Sequence, residues 1–300
     1  MPRKRFGVAL LVPEPLATEI DGVRRALGDG ALGRVPAHLT LVPPVNVRVG
    51  DVPAALAVLR GGAAQVRPFS VRLGPPATFL PVTSTVHLGV DGGGDDDPGT
   101  GEPANEGRDT LHRLRDLVFR GPLERPLTFA FVPHVTLCDD TEPARVAAAI
   151  EALRDFVVDV RVEALHLLEE QRGDDGRRRW IPVADVPLAP RTIVGRGGVE
   201  LELTPSSLVD PEAAAFEDSH RSGHDVVRVA TRIEPADACP LVVTARRHGA
   251  VVGLAVGWTS GDAADMTSAL VHPEHRRQGV ALQLARAFHA EAHARNEPRD

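Results

Sequence analysis

The stretch Pro36-Ala37-His38-Leu39-Thr40-Leu41-Val42 is the most informative in the sequence, because a related stretch, Val132-Pro133-His134-Val135-Thr136-Leu137-Cys138, follows later in the chain. In a β-strand, successive side chains point to opposite faces, so the His and Thr of each stretch share one face. The apolar residues between and after them share the other face and are expected to enter a core. The pattern predicts two strands that each offer one imidazole and one hydroxyl side by side.

The duplication is more informative than either copy alone. A single His-apolar-Thr triplet is a common chance occurrence, and each histidine by itself is also compatible with a half-buried strand residue without a function. Two triplets with matching flanks indicate an internal duplication and favour one shared cleft. Two imidazoles can act as general acid and base, and two hydroxyls can donate hydrogen bonds to phosphate oxygens. This set suits attack on a phosphodiester.

At the level of these motifs, the chain resembles the 2H phosphoesterase superfamily, which contains 2′-5′ RNA ligase-like proteins and cyclic phosphodiesterases. The resemblance covers about residues 5 to 188 and implies an α/β (α+β) fold with two pseudo-symmetric antiparallel-sheet lobes. It implies that His38, Thr40, His134 and Thr136 are catalytic and that this half needs neither metal nor cofactor. The implied substrate is a 2′,3′-cyclic phosphate or a 2′-5′ phosphodiester of an RNA end or small nucleotide. The residues do not tell which substrate is used, or which histidine is the base.

Composition restricts the class of protein and its compartment. Three hundred residues, of which 43% are hydrophobic and 25% charged, predict two globular domains. A net charge of −7 argues against a large nonspecific nucleic-acid surface but leaves room for a local rim of arginines. The only cysteines, Cys138 and Cys239, are expected in different domains and to form no disulfide. The first apolar run stops at Pro13, too short for export or a membrane span, so we expect a cytoplasmic protein.

Apolar periodicity divides the chain into residues 1–190, a linker at 191–198 and a second domain at 199–300. In the first domain it predicts a strand over Phe6–Val12 and a helix over Glu14–Leu27. Strands at Phe69–Leu73 and Val86–Val90, separated by a Gly74-Pro75-Pro76 turn, are expected to complete the first lobe. The acidic, Gly-rich stretch 91–107 reads as a mobile loop.

The second domain contains a strand, a turn and a helix around Arg276-Arg277-Gln278-Gly279-Val280-Ala281. The start of a helix exposes unpaired amides and a positive dipole end, which suits a pyrophosphate. This segment resembles the coenzyme A loop of GNAT acetyltransferases and implies a partial GNAT-like mixed-sheet domain that binds acetyl-CoA. By that resemblance, Val271 lies beside pantetheine and the backbone of Gln278–Ala281 holds the pyrophosphate, with Arg276 and Arg277 in the same loop.

Two departures from the GNAT pattern lower the expectation of acetyl transfer. Few residues follow the helix that ends near Ala294, where the family continues with another strand, so the domain reads as incomplete at its C-terminus. The chain also has no tyrosine, which many family members use as general acid.

Two alternatives stay open: an N-acetyltransferase whose 2H half serves recognition, and a nonenzymatic nucleotide-binding module. The pairs His220/His224, His272/His275 and His289/His293 are expected to be surface residues without metal. The oligomeric state is undetermined.

Overall fold

The computed structural model describes residues 2–92, 106–139, 142–188, 191–194, 200–220, 227–228, 234–261 and 263–296. The chain forms two compact units, Met1–Pro182 and Val183–Asp300. The mobile loop predicted at 91–107 lies for the most part outside the described residues.

The first sheet has eight strands, and every neighbouring pair with a described register is antiparallel. The spatial order is β6-β3-β4-β5-β2-β1-β7-β8. The strands are β1 (Arg3–Leu11), β2 (His38–Arg48), β3 (Phe69–Thr78), β4 (Val86–Gly92), β5 (His134–Cys138), β6 (Val158–Val162), β7 (Ala164–Arg172) and β8 (Arg178–Pro187).

The two motif strands, β2 and β5, lie side by side at the centre of this sheet. On either side of them follow three further strands, so the sheet consists of two four-stranded halves and fits the pseudo-symmetric lobes expected from the sequence. The composition of the halves differs from the expectation. Strands β3 and β4 pair on the β5 side, whereas β7 and β8 return to pair on the β1 side. Each half therefore combines early and late parts of the chain.

The Gly-Pro-Pro segment is an irregularity within β3 and not the predicted turn. Strand β3 continues through it to Thr78, and its pairing with β4 shifts register between Leu73 and Pro76. Proline cannot donate a ladder hydrogen bond, so the pairing must be interrupted there. Gly74 has a φ of 99°, and a Cβ atom at this position would collide with the carbonyl oxygen of Phe156. The chain reverses instead between Thr78 and Val86.

Four helices accompany the first sheet: α1 (Leu16–Leu27), α2 (Val52–Ala63), α3 (Glu106–Val118) and α4 (Pro143–Ala152). The apolar residues that face the core are fully buried, including Ile20, Leu56, Leu59, Leu111 and Leu114. Burying each such side chain contributes on the order of 2 kcal/mol. Helix α1 ends as predicted at Gly28, whose φ of 78° allows a left-handed cap.

The second unit contains a six-stranded sheet in the order β11-β14-β13-β12-β10-β9. Its strands are β9 (Arg191–Val194), β10 (Glu200–Ser206), β11 (Val227–Arg228), β12 (Cys239–Arg247), β13 (Ala250–Ser260) and β14 (Ala263–Val271), and its helices are α5 (Pro211–His220) and α6 (Val280–Asn296). The mixed sheet expected from the resemblance is antiparallel in every described pair. Helix α6 buries Val280, Leu284 and Phe288 against this sheet.

Neither unit offers a membrane-spanning helix within the described ranges, since none of their helices is both long and apolar enough. Neither Cys138 nor Cys239 is part of a disulfide. Cys138 is buried with its Sγ atom 3.7 Å from the carbonyl oxygen of Leu27, which fits a small core residue.

Candidate functional site

The register of β2 and β5 brings both motifs to one face of the sheet. Leu39 pairs with Val135 in an antiparallel arrangement. In such a pair the neighbouring positions also face each other, so this register sets His38 opposite Thr136 and Thr40 opposite His134. Leu39 and Val135 are 3% and 1% exposed, respectively, whereas the two histidines and two threonines are half-buried. The alternation read from the sequence thus holds in both strands.

The two histidines are held by the same contact. Nδ1 of His38 lies 2.8 Å from the carbonyl oxygen of Pro36, and Nδ1 of His134 lies 2.8 Å from that of Val132. A carbonyl oxygen only accepts, so Nδ1 of each ring carries the proton and donates it. Each neutral ring therefore has its lone pair on Nε2. The Nε2 atom of His38 is 3.1 Å from Oγ1 of Thr40, within its own motif.

The surroundings of His38 favour its neutral form. Burial lowers the pKa of His38 below its ordinary value of 6.5, and the charges of Arg24 and His134 lower this pKa further. The hydrogen bond to the Pro36 carbonyl acts in the opposite direction but is outweighed by burial. At neutral pH, His38 is thus a neutral imidazole able to accept a proton.

Arg24 is a neighbour of the site that the sequence did not reveal. Its guanidinium is 3% exposed and donates through Nε to Asp29 at 2.8 Å and through Nη1 to Asp21 at 2.7 Å. It also donates through Nη2 to the carbonyl oxygen of Val35 at 3.1 Å, directly before the residue that anchors His38. A buried, paired Arg on α1 therefore holds the segment that leads into the first motif.

His87 is a third histidine at the site, and no sequence motif marks it. It lies on β4 opposite Thr136 and is 4% exposed. Its ring stacks on Phe79 at 4.0 Å between centroids and meets the ring of His134 edge-on at 5.3 Å. Burial, followed by the charge of His134, lowers the pKa of His87 to about 4. Nδ1 of His87 is buried and has no hydrogen-bond partner among the described residues.

Three cavities adjoin the two His-Thr motifs. One of about 160 Å³ is lined by His38, Thr40 and Trp180. A second, of about 270 Å³, is lined by Thr40 and His134 together with two arginines. A third, of about 310 Å³, is lined by His134 and apolar side chains including Phe79 and Phe129. The motif residues therefore have room for a ligand larger than a single phosphate.

The loop predicted to bind coenzyme A lies between the end of β14 at Val271 and the start of α6 at Val280. Arg277 has a φ of 60° and Gly279 a φ of 85°, so the backbone turns sharply at both. Nε of Arg276 donates to the carbonyl oxygen of Val271 at 3.4 Å. Val280 is 1% exposed and packs in the core, whereas Arg276, Arg277 and Ala281 are exposed and Gln278 and Gly279 are half-buried.

The histidines considered as metal ligands do not form a metal site in the described part of the chain. The rings of His220 and His272 are 5.0 Å apart and those of His272 and His275 are 5.6 Å apart. Nevertheless, no set of three or more His, Cys, Asp or Glu side chains among the described residues is arranged to hold a metal ion. His224 lies outside the described residues.

Family comparisons match both units. The model of the 2′-5′ RNA ligase superfamily matches residues 12–174, more than half of the chain. The model of the acetyltransferase (GNAT) family matches residues 208–299. The first match contains both His-Thr motifs, and the second contains the whole loop from Arg276 to Ala281.

Individual relatives match part of the chain. A Bacillus licheniformis protein, provisionally assigned as a phosphoesterase, is 25% identical over 167 residues, covering 55% of this chain and 89% of its own. A Bacillus pumilus protein with the same provisional assignment is 27% identical over 167 residues, covering 55% and 88%. Among solved structures, Escherichia coli LigT complexed with 3′-AMP aligns with a TM-score of 0.39 and 18% identity, covering 62% of this chain and 99% of that one.

Proposed function

The chain belongs to the 2′-5′ RNA ligase superfamily, and on this premise we propose that its first domain, residues 1–190, is a metal-independent phosphoesterase. Its substrate would be a 2′,3′-cyclic phosphate or a 2′-5′ phosphodiester of an RNA end or small nucleotide. The observation that carries the proposal is the pairing of Leu39 with Val135. This register gives one face of the sheet an imidazole and a hydroxyl from each strand.

In the proposed hydrolysis, His38 is the general base. Its Nε2 atom takes a proton from water while the water oxygen forms a bond to phosphorus. This assignment is supported by the lowered pKa of His38, which keeps the ring neutral, and by the Pro36 contact, which keeps the lone pair on Nε2. The reaction leaves His38 protonated, and solvent removes that proton before the next cycle.

His134 acts as general acid on the other side of the phosphorus. Its Nε2–H gives a proton to the ribose oxygen as the bond from this oxygen to phosphorus breaks, and a phosphomonoester results. Thr40 and Thr136 donate their hydroxyl protons to the nonbridging oxygens, where negative charge develops. The Thr40 hydroxyl donates to Nε2 of His38, so in the proposed reaction its proton must turn from this nitrogen to a phosphate oxygen.

The test is turnover of 2′,3′-cyclic AMP by the full chain in the presence of a chelator. We expect a phosphomonoester product and a loss of about 100-fold or more in kcat/KM for His38→Ala and for His134→Ala. His289→Ala is the matched control, because His289 is exposed on α6 of the other unit. Full activity of either motif variant, or rescue of chelated enzyme by a divalent ion, would contradict the mechanism. Binding of the nucleotide without turnover would instead indicate a nonenzymatic module.

A second function is favoured for residues 199–300 by the GNAT family match and by the loop before α6. The residues there fit an acetyl-CoA pyrophosphate: the first-turn amides of α6 lack intrahelical acceptors, and two exposed arginines precede them. Backbone amides of Gln278–Ala281 would hold the pyrophosphate, and Val271 would lie beside pantetheine. When bound, acetyl-CoA supplies an acetyl group activated as a thioester.

Calorimetry with coenzyme A tests this second function. Gly279→Ala should weaken binding, because its φ of 85° is strained for alanine and the loop must change shape. Gly249→Ala is the matched control, since Gly249 has a φ of 82° in a turn between β12 and β13 and is remote from the loop in sequence. No heat of binding with the unaltered chain would refute acetyl-CoA as a ligand, and equal weakening by both variants would show that only stability was affected.

A further inference from the structure

The cavity between Thr40 and His134 contains more positive charge than one reacting phosphate requires. Arg115 from α3 and Arg125 from the segment before β5 both line it, and no carboxylate among the described residues does. The whole chain carries a net charge of −7, so two guanidiniums that share one cavity are a local exception. We name this space the arginine cavity.

Arg115 contacts two aromatic rings and keeps hydrogen-bonding capacity. Its guanidinium lies 4.1 Å from the ring centroid of Phe119 and 5.2 Å from that of Phe131, and its side chain is 12% exposed. One Nη1 contact reaches Asp116 at 3.4 Å, while the buried Nε has no hydrogen-bond partner among the described residues. Because Nε is shielded from solvent, a ligand in the cavity would meet the Nη groups of this side chain, which lines the cavity.

Arg125 lines another part of the arginine cavity and is exposed to solvent. Its Nη1 donates to the carbonyl oxygen of Pro44 at 2.6 Å, and its Nε donates to that of Pro126 at 3.2 Å. These contacts fix the guanidinium but leave Nη2 and one proton of Nη1 available, because arginine carries five N–H donors. Both arginines can therefore donate to phosphate oxygens in the planar, paired manner typical of guanidinium.

We propose that the arginine cavity binds a second phosphate of the substrate, on the 5′ side of the ribose whose phosphate reacts at the two His-Thr motifs. This inference rests on the proposed phosphoesterase function and narrows its substrate class to nucleotides with at least two phosphates. In the proposed mechanism, Thr40, Thr136 and two imidazoles already contact the reacting phosphate. The two arginines beside Thr40 and His134 are additional to these four groups, which favours a second anion. A ribose connects its 3′ and 5′ phosphates, so adjacent anion sites suit the two ends of one nucleotide.

The first experiment compares three substrates with the full chain: 2′,3′-cyclic AMP, its 5′-phosphorylated form, and a dinucleotide that ends in a 2′,3′-cyclic phosphate. We expect kcat/KM to rise at least about 10-fold when the second phosphate is present, as for one charge-assisted hydrogen bond. Equal rates on the two phosphate-bearing substrates assign the subsite to any 5′ phosphate. A gain with the dinucleotide alone assigns it to an RNA phosphodiester. Equal rates on all three overturn the proposal.

The variant Arg125→Gln should remove this preference, because it deletes the exposed cation without disturbing a core. Arg113→Gln is the control: it removes the same charge from an exposed position on α3 that does not line the cavity. If Arg125→Gln lowers kcat/KM equally on all three substrates, the arginine does not read a second phosphate and the proposal fails.

Binding separates this proposal from the catalytic one. Calorimetry should give a Kd for adenosine 3′,5′-bisphosphate at least about 10-fold below that for adenosine 3′-phosphate, and Arg125→Gln should abolish the difference. This measurement needs no turnover. An inactive chain that still prefers the bisphosphate would refute the phosphoesterase function and retain the subsite, whereas equal dissociation constants would refute the subsite.

Discussion

Acidification to pH 5 should destabilise the N-terminal unit through His87. The pKa of this buried histidine is lowered from 6.5 to about 4, so the folded unit favours its neutral form. The resulting contribution to stability is complete above pH 6.5 and is lost as the pH falls toward 4, because the unfolded chain then binds a proton that the folded chain does not. At pH 5, an imidazole with a pKa of 6.5 is about 97% protonated, whereas one with a pKa of about 4 is about 10% protonated. This difference in proton binding lowers the free energy of unfolding by about 2 kcal/mol between pH 7 and pH 5.

Urea unfolding at pH 7 and pH 5 measures this loss. The chain has two tryptophans, Trp180 in the first unit and Trp258 in the second, so a Trp258→Phe background leaves Trp180 as reporter for the first unit. In that background, His87→Phe keeps an aromatic ring against Phe79 and removes the titrating group. We expect this variant to lose about 2 kcal/mol less than its parent between pH 7 and pH 5.

Val90→Ala on the same strand is the control, because Val90 is 4% exposed and does not titrate. It should lower the free energy of unfolding by about 1–3 kcal/mol at both pH values and leave the pH dependence parallel to that of the parent. If His87→Phe also gives a parallel pH dependence, the proton affinity of His87 is the same in the folded and unfolded states and the reasoning is refuted.

Three further outcomes follow from the same structure. The kcat/KM of the unaltered chain for 2′,3′-cyclic AMP should be bell-shaped in pH, with its acidic limb below 6.5 because burial lowers the pKa of His38; a rate that climbs steadily to pH 10 would exclude the two-histidine mechanism. Arg24→Met should lower the free energy of urea unfolding by about 3–5 kcal/mol, because it leaves the buried carboxylate of Asp29 without its cation. A loss below about 1 kcal/mol would show that this ion pair is not essential. Gly257→Ala should lower the free energy of unfolding of the second unit by more than about 1 kcal/mol, because the added Cβ atom would collide with the carbonyl oxygen of Asp265. Unfolding followed by Trp258 fluorescence measures this loss, and unchanged stability would contradict this packing.

The strands and helices were largely predictable because their signals are local. The alternation in His38–Val42 and the αL-permissive Gly28 depend only on neighbouring residues, and both appear as expected. The distribution of strands between the halves of the first sheet was not predictable from such signals. Pairing of β4 with β5 and of β1 with β7 depends on long-range register. The residues of the Gly-Pro-Pro segment favour a turn, but in this fold they form an irregularity in β3.

The same distinction applies to the site. The four motif residues could be named from a period of two within short stretches of sequence. His87 and Arg24 reach the site only through sheet pairing and helix packing, and a single histidine or arginine in a sequence has no feature that reveals such a position. Only the pairing of β4 with β5 reveals that His87 is a third histidine at the site.

These unpredicted neighbours make two nearly identical motifs chemically different. From sequence, His38 and His134 are equivalent, and either could serve as base. In the structure, burial lowers the pKa of His38 and the charge of Arg24 lowers it further, whereas the ring of His134 contacts Phe79 and His87. Since His87 remains neutral down to about pH 4, it adds no positive charge beside His134 at neutral pH. In the proposed reaction, which needs one neutral and one protonated imidazole, burial and the charge of Arg24 favour His38 as the neutral partner, a difference that the repeat alone does not reveal.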